Sequence, residues 1–269
     1  MAEIEVAVED GVLLATLNRP ERMNSLSPGL LQGLQGALDR ASRDDDVRVM
    51  VLTGNGRAFC AGAEVSGDSA PAGGTTRAVA GTRFDAMRTD GPGSVGMVKA
   101  FAACHVPVIG AINGVAAGGG FGISLCCDVR ILAESARMGP IFIRRGIATD
   151  YGTGYWLARI VGVAKAYELL YDGGVVDSGR ALELGLANRV VPDDEFMPEV
   201  MKYARQIAAG PPLAYTATRR NVLDSVDNLS RDAFSQREWA AQTALLTTKD
   251  AAEGFRSFLE RREPSFTGE

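Results

Sequence analysis

The stretch AINGVAAGGGFGISLCCDVRIL, residues 111–132, decides how the chain folds. It opens as an apolar strand, passes through Gly118, Gly119 and Gly120, runs on as a short helix, and ends in a second strand, DVRIL. Strand, glycine run, helix and strand in that order make a crossover that pairs its strands in parallel. Glycines at the handover let backbone amides approach a partner closely, because no Cβ intervenes. A further glycine, Gly122, stands on the expected first helical turn, where a functional side chain would otherwise project.

Outward from this stretch the same alternation continues. EIEVAVEDGVLLATLN reads as a hairpin about Asp10-Gly11, a favoured two-residue turn pair. Ser27 is placed to cap a helix whose first position is Pro28, with leucines at helical spacing behind it. VRVMVLTG and PVIGAIN read as strands. Residues 66–94 are rich in Gly, Ser, Thr and Pro, and predict a long irregular insertion of the kind that is usually functional or disordered. From about residue 150 the strand signals fade and helices take over. The expectation is an α/β core over residues 1–200 and a helical region over 201–269.

Composition narrows the class of function. A net charge of -5 argues against nucleic acid or an anionic membrane as main partner, although 28 Lys and Arg leave room for a local phosphate pocket. No apolar run is long enough to span a membrane, and the acidic, strand-like MAEIEVAVEDG does not read as a secretion signal. The cysteines stand at 60, 104, 126 and 127, and adjacent Cys126 and Cys127 are poorly placed to bridge each other. Reduced, buried thiols of a cytoplasmic chain are expected. His105 is the single histidine, without clustered ligands, so no metal site is expected, and a packed or capping role suits it better than that of a base.

Two motifs can carry chemistry together. GRAFCAGAE (56–64) and the glycine run each follow a strand and expose small-residue backbone. Two N–H groups converging on one oxygen form an oxyanion hole, worth roughly 10²–10³ in rate per donor. Taken alone, either motif is more commonly explained by close packing of helix on strand.

Four segments, NRPERMNSLS, GRAFCAGAE, AINGVAAGGGFGISLCCDVRI and GLANRVVPDDEF, occur in this order. Through them, the chain from residue 4 to the C-terminus resembles the crotonase superfamily, the enoyl-CoA hydratase and isomerase group. The resemblance implies an α/β spiral of ββα units with a helical C-terminal region, a homotrimer or homohexamer, and an acyl-CoA thioester as substrate. It implies no separate cofactor, since coenzyme A belongs to the substrate. It places the oxyanion amides on Ala63 and Gly119, and gives Arg22, Leu26, Ala61, Gly118 and Phe142 substrate-binding positions. It also brings the aromatics Phe255 and Phe258 of a C-terminal helix near a neighbouring subunit's ligand, though a core or interface stripe explains them as well.

The sequence departs from the resemblance at one telling place. Family hydratases carry glutamates at the positions of Gly122 and Phe142, and neither residue here can orient or deprotonate water. Asp150 aligns with an aspartate that isomerase branches use for proton transfer and a dehalogenase branch uses as a nucleophile. The latter branch's histidine and tryptophan would fall on Val95 and Phe142, which disfavours it. An isomerase working through Asp150 alone is the leading expectation. Slow hydration, thioester-linked hydrolysis or dehalogenation, and acyl-CoA binding without chemistry are the alternatives. Judged from the residues alone, Asp150 serves equally well as the N-cap of a helix beginning near Tyr151. Glu64 and Asp68 read as solvated loop acids, with a supporting role open to Glu64.

Overall fold

Asp10 and Gly11 both take left-handed backbone, with φ of 51° and 76°. This is the turn whose twist suits an antiparallel hairpin, and it joins β1 (Ile4–Glu9) to β2 (Val12–Leu17) as the sequence predicts. The computed structural model describes residues 2–64, 94–227 and 230–269. The irregular insertion expected at 66–94, with Asp68 in it, therefore lies outside the described residues except for Ser94.

After the hairpin the chain builds parallel pairs. α1 (Pro28–Arg43) starts on Ser27, whose hydroxyl accepts the Leu30 amide at 3.0 Å. It buries Leu30, Leu34, Ala37, Leu38 and Ala41, one helical stripe, and delivers the chain to β3 (Val49–Gly54), parallel to β2. β3 is buried along its whole length, as a strand covered on both faces must be. It hands over to a short β4 (Ala58–Cys60), and the next described helix is α2 (Val95–Ala103). The same unit then recurs. β5 (Val108–Ile112) and β6 (Val115–Ala117) lead to α3 (Gly119–Leu125), and β7 (Val129–Ala133) and β8 (Arg137–Gly139) lead to α4 (Thr153–Val161).

The first strand of each unit joins one sheet and the second strand joins another, so two sheets grow side by side. The larger runs β1-β2-β3-β5-β7-β10 and the smaller β4-β6-β8-β9. The expected spiral of ββα units is thus the observed architecture. The second sheet was not legible as such, because its strands are two or three residues long and carry no periodicity. The strand signal does not end at residue 150: β9 (Val176–Asp177) and β10 (Arg189–Val191) supply an edge to each sheet. α5 (Val163–Asp172) and α6 (Ser178–Glu183) fill the intervening segment.

The expected boundary at residue 200 falls inside α7 (Phe196–Ala208), whose Val200, Ala204, Ile207 and Ala208 belong to the core against the larger sheet. α8 (Pro212–Val226), α9 (Arg231–Leu245) and α10 (Lys249–Glu260) follow. Buried Arg219 locks α8 to the core. It donates to Asp128 at 2.8 Å and to the carbonyls of Phe101 and Cys104 at 2.6 Å, closing the end of α2. Asp128 in turn accepts the Val108 amide at 2.7 Å, so one ion pair joins a helix end, a strand start and a C-terminal helix. His105 is exposed rather than packed, and its amide donates to Ser42 Oγ at 3.3 Å. All cysteines are buried and unbridged.

Candidate active site

The N-terminal wall is set by Asn24, a fully buried residue with left-handed φ of 53°. Its amide group donates to the carbonyls of Asn55 and Ala58, and its Oδ1 accepts the Arg19 amide at 2.8 Å. With the turn so fixed, Ala61 donates its amide to Met23 O at 3.0 Å and Leu26 donates to Gly62 O at 2.8 Å. Leu26 and Ala63 then pair as an isolated parallel bridge. Arg19 binds Glu64 at 2.9 Å, and Arg22 lies 3.9 Å from the same carboxylate. Glu64 is therefore an ion-paired loop acid and not a freely solvated one. Arg22, in the short 3-10 turn Pro20–Arg22, keeps a largely exposed side chain on the outer rim.

The glycine run meets this wall from the other side. Gly118 has φ of 54° and donates to Gly139 O at 3.1 Å, and α3 begins at Gly119. A Cβ built on Gly62 would lie 3.3 Å from the Gly119 nitrogen, so the two strand-following segments converge. A Cβ on Gly120 would collide with the Cys60 carbonyl, which makes that glycine a packing requirement. Among the described residues neither the Ala63 amide nor the Gly119 amide donates a hydrogen bond. Two unengaged N–H groups at converging segments are what an oxyanion site needs. Buried Phe142, in the 3-10 helix Ile141–Arg145, closes the back: its Cε1 is 4.0 Å from the Cβ position of Gly118.

Asp150 does not cap α4. The helix begins at Thr153 with Gly152, φ 69°, at its cap, and no side chain satisfies that cap. The Asp150 backbone is what takes part: its carbonyl accepts the Thr153 amide at 2.9 Å and the Thr153 hydroxyl at 2.7 Å. The capping expectation failed because a second left-handed residue intervenes and pushes the helix start two positions on. The residue as a whole stays exposed at the bend, although protein packs around its carboxyl. Burial of the carboxyl by surrounding protein pushes its pKa up to about 6, opposed by a bond from its own backbone amide.

The sequence names Tyr151 only as an apolar neighbour of Asp150, and does not show that Tyr151 and Thr153 pack on α3. Tyr151 has φ of 48°, an uncommon conformation for a bulky residue. Its amide donates to Ser94 Oγ at 2.9 Å and its carbonyl accepts Cys126 Sγ at 3.7 Å, which pins the bend from both sides. The ring edge lies over Gly119, with Cε2 3.0 Å from where a Cβ would stand and Leu26 Cδ1 2.7 Å from the same point. A Cβ on Gly122 would stand 2.6 Å from Thr153 Oγ1 and 2.8 Å from Tyr151 Cβ. The space a side chain at 122 would need is therefore already filled. The one sequence signal for this was the pair Tyr151-Gly152, a bulky residue before a glycine at a bend. The structure thus gathers Leu26, Ala63, Gly118, Gly119, Phe142, Tyr151 and, through Tyr151, Asp150, with Arg22 at the rim.

Comparison with known proteins agrees with this geometry. Residues 7–269 match the family model described as enoyl-CoA hydratase/isomerase. The chain is 34% identical over 265 residues to a probable enoyl-CoA hydratase of Rhodobacter capsulatus, covering 98% of each. It is also 34% identical over 268 residues to a 1,2-epoxyphenylacetyl-CoA isomerase of Escherichia coli, covering 97% of each. Among solved structures, a probable enoyl-CoA hydratase/isomerase from Mycobacterium abscessus superposes with a TM-score of 0.86 at 36% identity, with 100% of both chains covered. An enoyl-CoA hydratase from Bacillus anthracis gives 0.87 at 33% identity, covering 99% of this chain and 100% of the other. Spiral and full-length likeness lead to one statement: the chain belongs to the enoyl-CoA hydratase/isomerase family, whose members include acyl-CoA enzymes of both kinds.

Proposed function

We propose that this protein moves the double bond of an enoyl-CoA. The Ala63 and Gly119 amides hold the thioester oxygen, and the Asp150 carboxylate takes a proton from C2 of a 3-enoyl-CoA. The electron pair released passes into the carbonyl, giving a dienolate whose oxygen the two amides stabilise. Asp150 returns the proton at C4, and the double bond comes to rest between C2 and C3. A carboxyl near pKa 6 suits this work, since base and conjugate acid are both accessible near neutral pH.

The observation that carries the reading is the distribution of acids. Position 122 has no side chain and no room for one, position 142 is phenylalanine, and Asp150 stands next to the residue that packs on Gly119. A hydratase needs groups that orient, deprotonate and deliver water, and a single carboxylate leaves that set incomplete. Slow hydration is the second reading, favoured by relatives named as hydratases. The coenzyme A end would lie along Arg22 and Leu26, with Ala61 and Gly118 lining the thioester passage. We also propose a homotrimer or homohexamer, since α10 carries Phe255, Phe258 and Leu259 exposed. The buried, unbridged thiols favour the cytoplasm.

The test is a pair of assays on one purified sample. Isomerisation of a 3-enoyl-CoA should exceed hydration of crotonyl-CoA by on the order of 10²-fold or more, the range assigned to general acid and base groups. Hydration faster than isomerisation would overturn the proposal, and absence of both with retained thioester binding would leave a binding protein.

A further inference from the structure

We infer that Tyr151 sets acyl selectivity, its ring forming a fixed wall beside the Gly119 amide that admits unbranched acyl groups and excludes those branched at C3. The inference rests on the acyl-CoA reading above and adds to it a residue that is neither an oxyanion donor nor the proton carrier.

Three features of the bend support it. The backbone that carries the ring is held on both sides: the Tyr151 amide and carbonyl are both engaged, by Ser94 and Cys126. The left-handed φ of 48° costs free energy that a glycine there would avoid, and such outliers persist where surrounding structure over-determines them. Finally, the placement is specific. The Cδ2–Cε2 edge stands 3.0–3.1 Å from the Cβ position of Gly119, and Tyr151 Cβ stands 2.8 Å from that of Gly122. The residue therefore covers the face of α3 between these two glycines. A thioester whose oxygen accepts from Gly119 and whose C2 reaches Asp150 must pass along that wall. Leu26 Cδ1 stands 2.7 Å from the same Gly119 point, so two side chains crowd the approach to that amide.

The magnitude follows from how hydrophobic pockets discriminate. One methyl or methylene too many changes selection by about 10–200-fold. Removing the wall should relax that discrimination by at least the lower bound. Glycine is the substitution of choice, because it accepts the left-handed backbone without strain, whereas alanine would keep the conformational cost.

The experiment is calorimetry of the full chain with butanoyl-CoA and 3-methylbutanoyl-CoA, saturated thioesters that undergo no double-bond shift. Wild type should prefer butanoyl-CoA by about 10-fold or more, Tyr151→Gly should reduce that preference about 10-fold, and Tyr151→Phe should keep the wild-type ratio. An unchanged ratio in Tyr151→Gly, with both ligands bound, would overturn the inference while sparing the acyl-CoA reading. A ratio altered as much in Tyr151→Phe would overturn it too, by tracing selectivity to the hydroxyl. Wild type that binds neither thioester would remove the acyl-CoA reading and this inference with it. A melting curve for each variant confirms that the compared proteins are folded.

Discussion

Gly122 is the position where the sequence departs from the hydratase pattern, and the structure turns that departure into a measurable quantity. A Cβ there would lie 2.6 Å from Thr153 Oγ1, 2.8 Å from Tyr151 Cβ and 3.1 Å from the Tyr151 carbonyl. Neither neighbour can yield easily: Thr153 is buried and bonded to Asp150 O, and Tyr151 is pinned at both ends. Overpacking of this kind costs about 1–3 kcal/mol, offset by the roughly 0.5–1 kcal/mol that alanine gains over glycine in a helix. Gly122→Ala should therefore destabilise by up to about 2.5 kcal/mol, centred near 1 kcal/mol, a fall of a few degrees in Tm for a chain of this size. Gly36, on the exposed face of α1, has nothing within 4 Å of its Cβ position and serves as the control. Gly36→Ala should raise Tm by roughly 1–4 °C, so the two identical substitutions differ in sign. Gly122→Glu adds a carboxylate to the same crowded interior and should be worse still, without gaining crotonyl-CoA hydration. Thermal melts read the first comparison and a hydration assay the second. A Gly122→Ala variant as stable as Gly36→Ala, or a folded Gly122→Glu variant with clearly faster hydration, would refute the reasoning.

Arg219→Ala should lower stability by about 1–3 kcal/mol, because it takes a donor from the carbonyls that close α2 while exposed Asp128 keeps the Val108 amide, and a denaturant titration that finds under about 0.5 kcal/mol would contradict this. Burial pushes the Cys60 and Cys126 thiols up to about 12 and raises those of Cys104 and Cys127. A thiol reagent at pH 8 should label the native protein far more slowly than the unfolded one, and rapid labelling without denaturant would count against the burial. Asp150 has a folded pKa raised from 3.8 to about 6, so the folded chain holds the proton longer than the unfolded chain does. The stabilising share of the protonated form is fully present below about 3.8 and is lost as pH rises through about 6. Relative to Asp150→Asn, wild type should therefore lose Tm between pH 4 and pH 7, and a difference that stays flat or runs the other way would show that the pKa is not raised.

The larger sheet and its helices were legible because their signals are local and strong. Asp10-Gly11, the Ser27-Pro28 start and the buried runs of β3, β5 and β7 each state their own conformation. The smaller sheet was not, since β4, β6, β8 and β9 are too short to show alternation and exist through long-range pairing. That the segments of Gly62 and Gly119 lie together could be expected from motif order, whereas their environment could not. What stands over Gly119 and fills the space at Gly122 comes from residues 151 and 153, about thirty positions along the chain, and only folding brings them there. The capping role considered for Asp150 failed for a backbone reason: consecutive left-handed residues at 151 and 152 delay the start of α4. Glu64 looked solvated because its partner Arg19 lies 45 positions away.

The central claim, that Asp150 carries the proton, is tested most directly by the rate at which Asp150→Asn isomerises a 3-enoyl-CoA. Asparagine keeps the shape, and no helix cap is lost, because α4 does not use this side chain. It cannot accept a proton. The account predicts a rate lower by about 10²–10⁴, with acyl-CoA affinity little changed, and a wild-type rate that climbs with pH through about 6 as the carboxyl ionises. An Asp150→Asn protein that isomerises at the wild-type rate would contradict it.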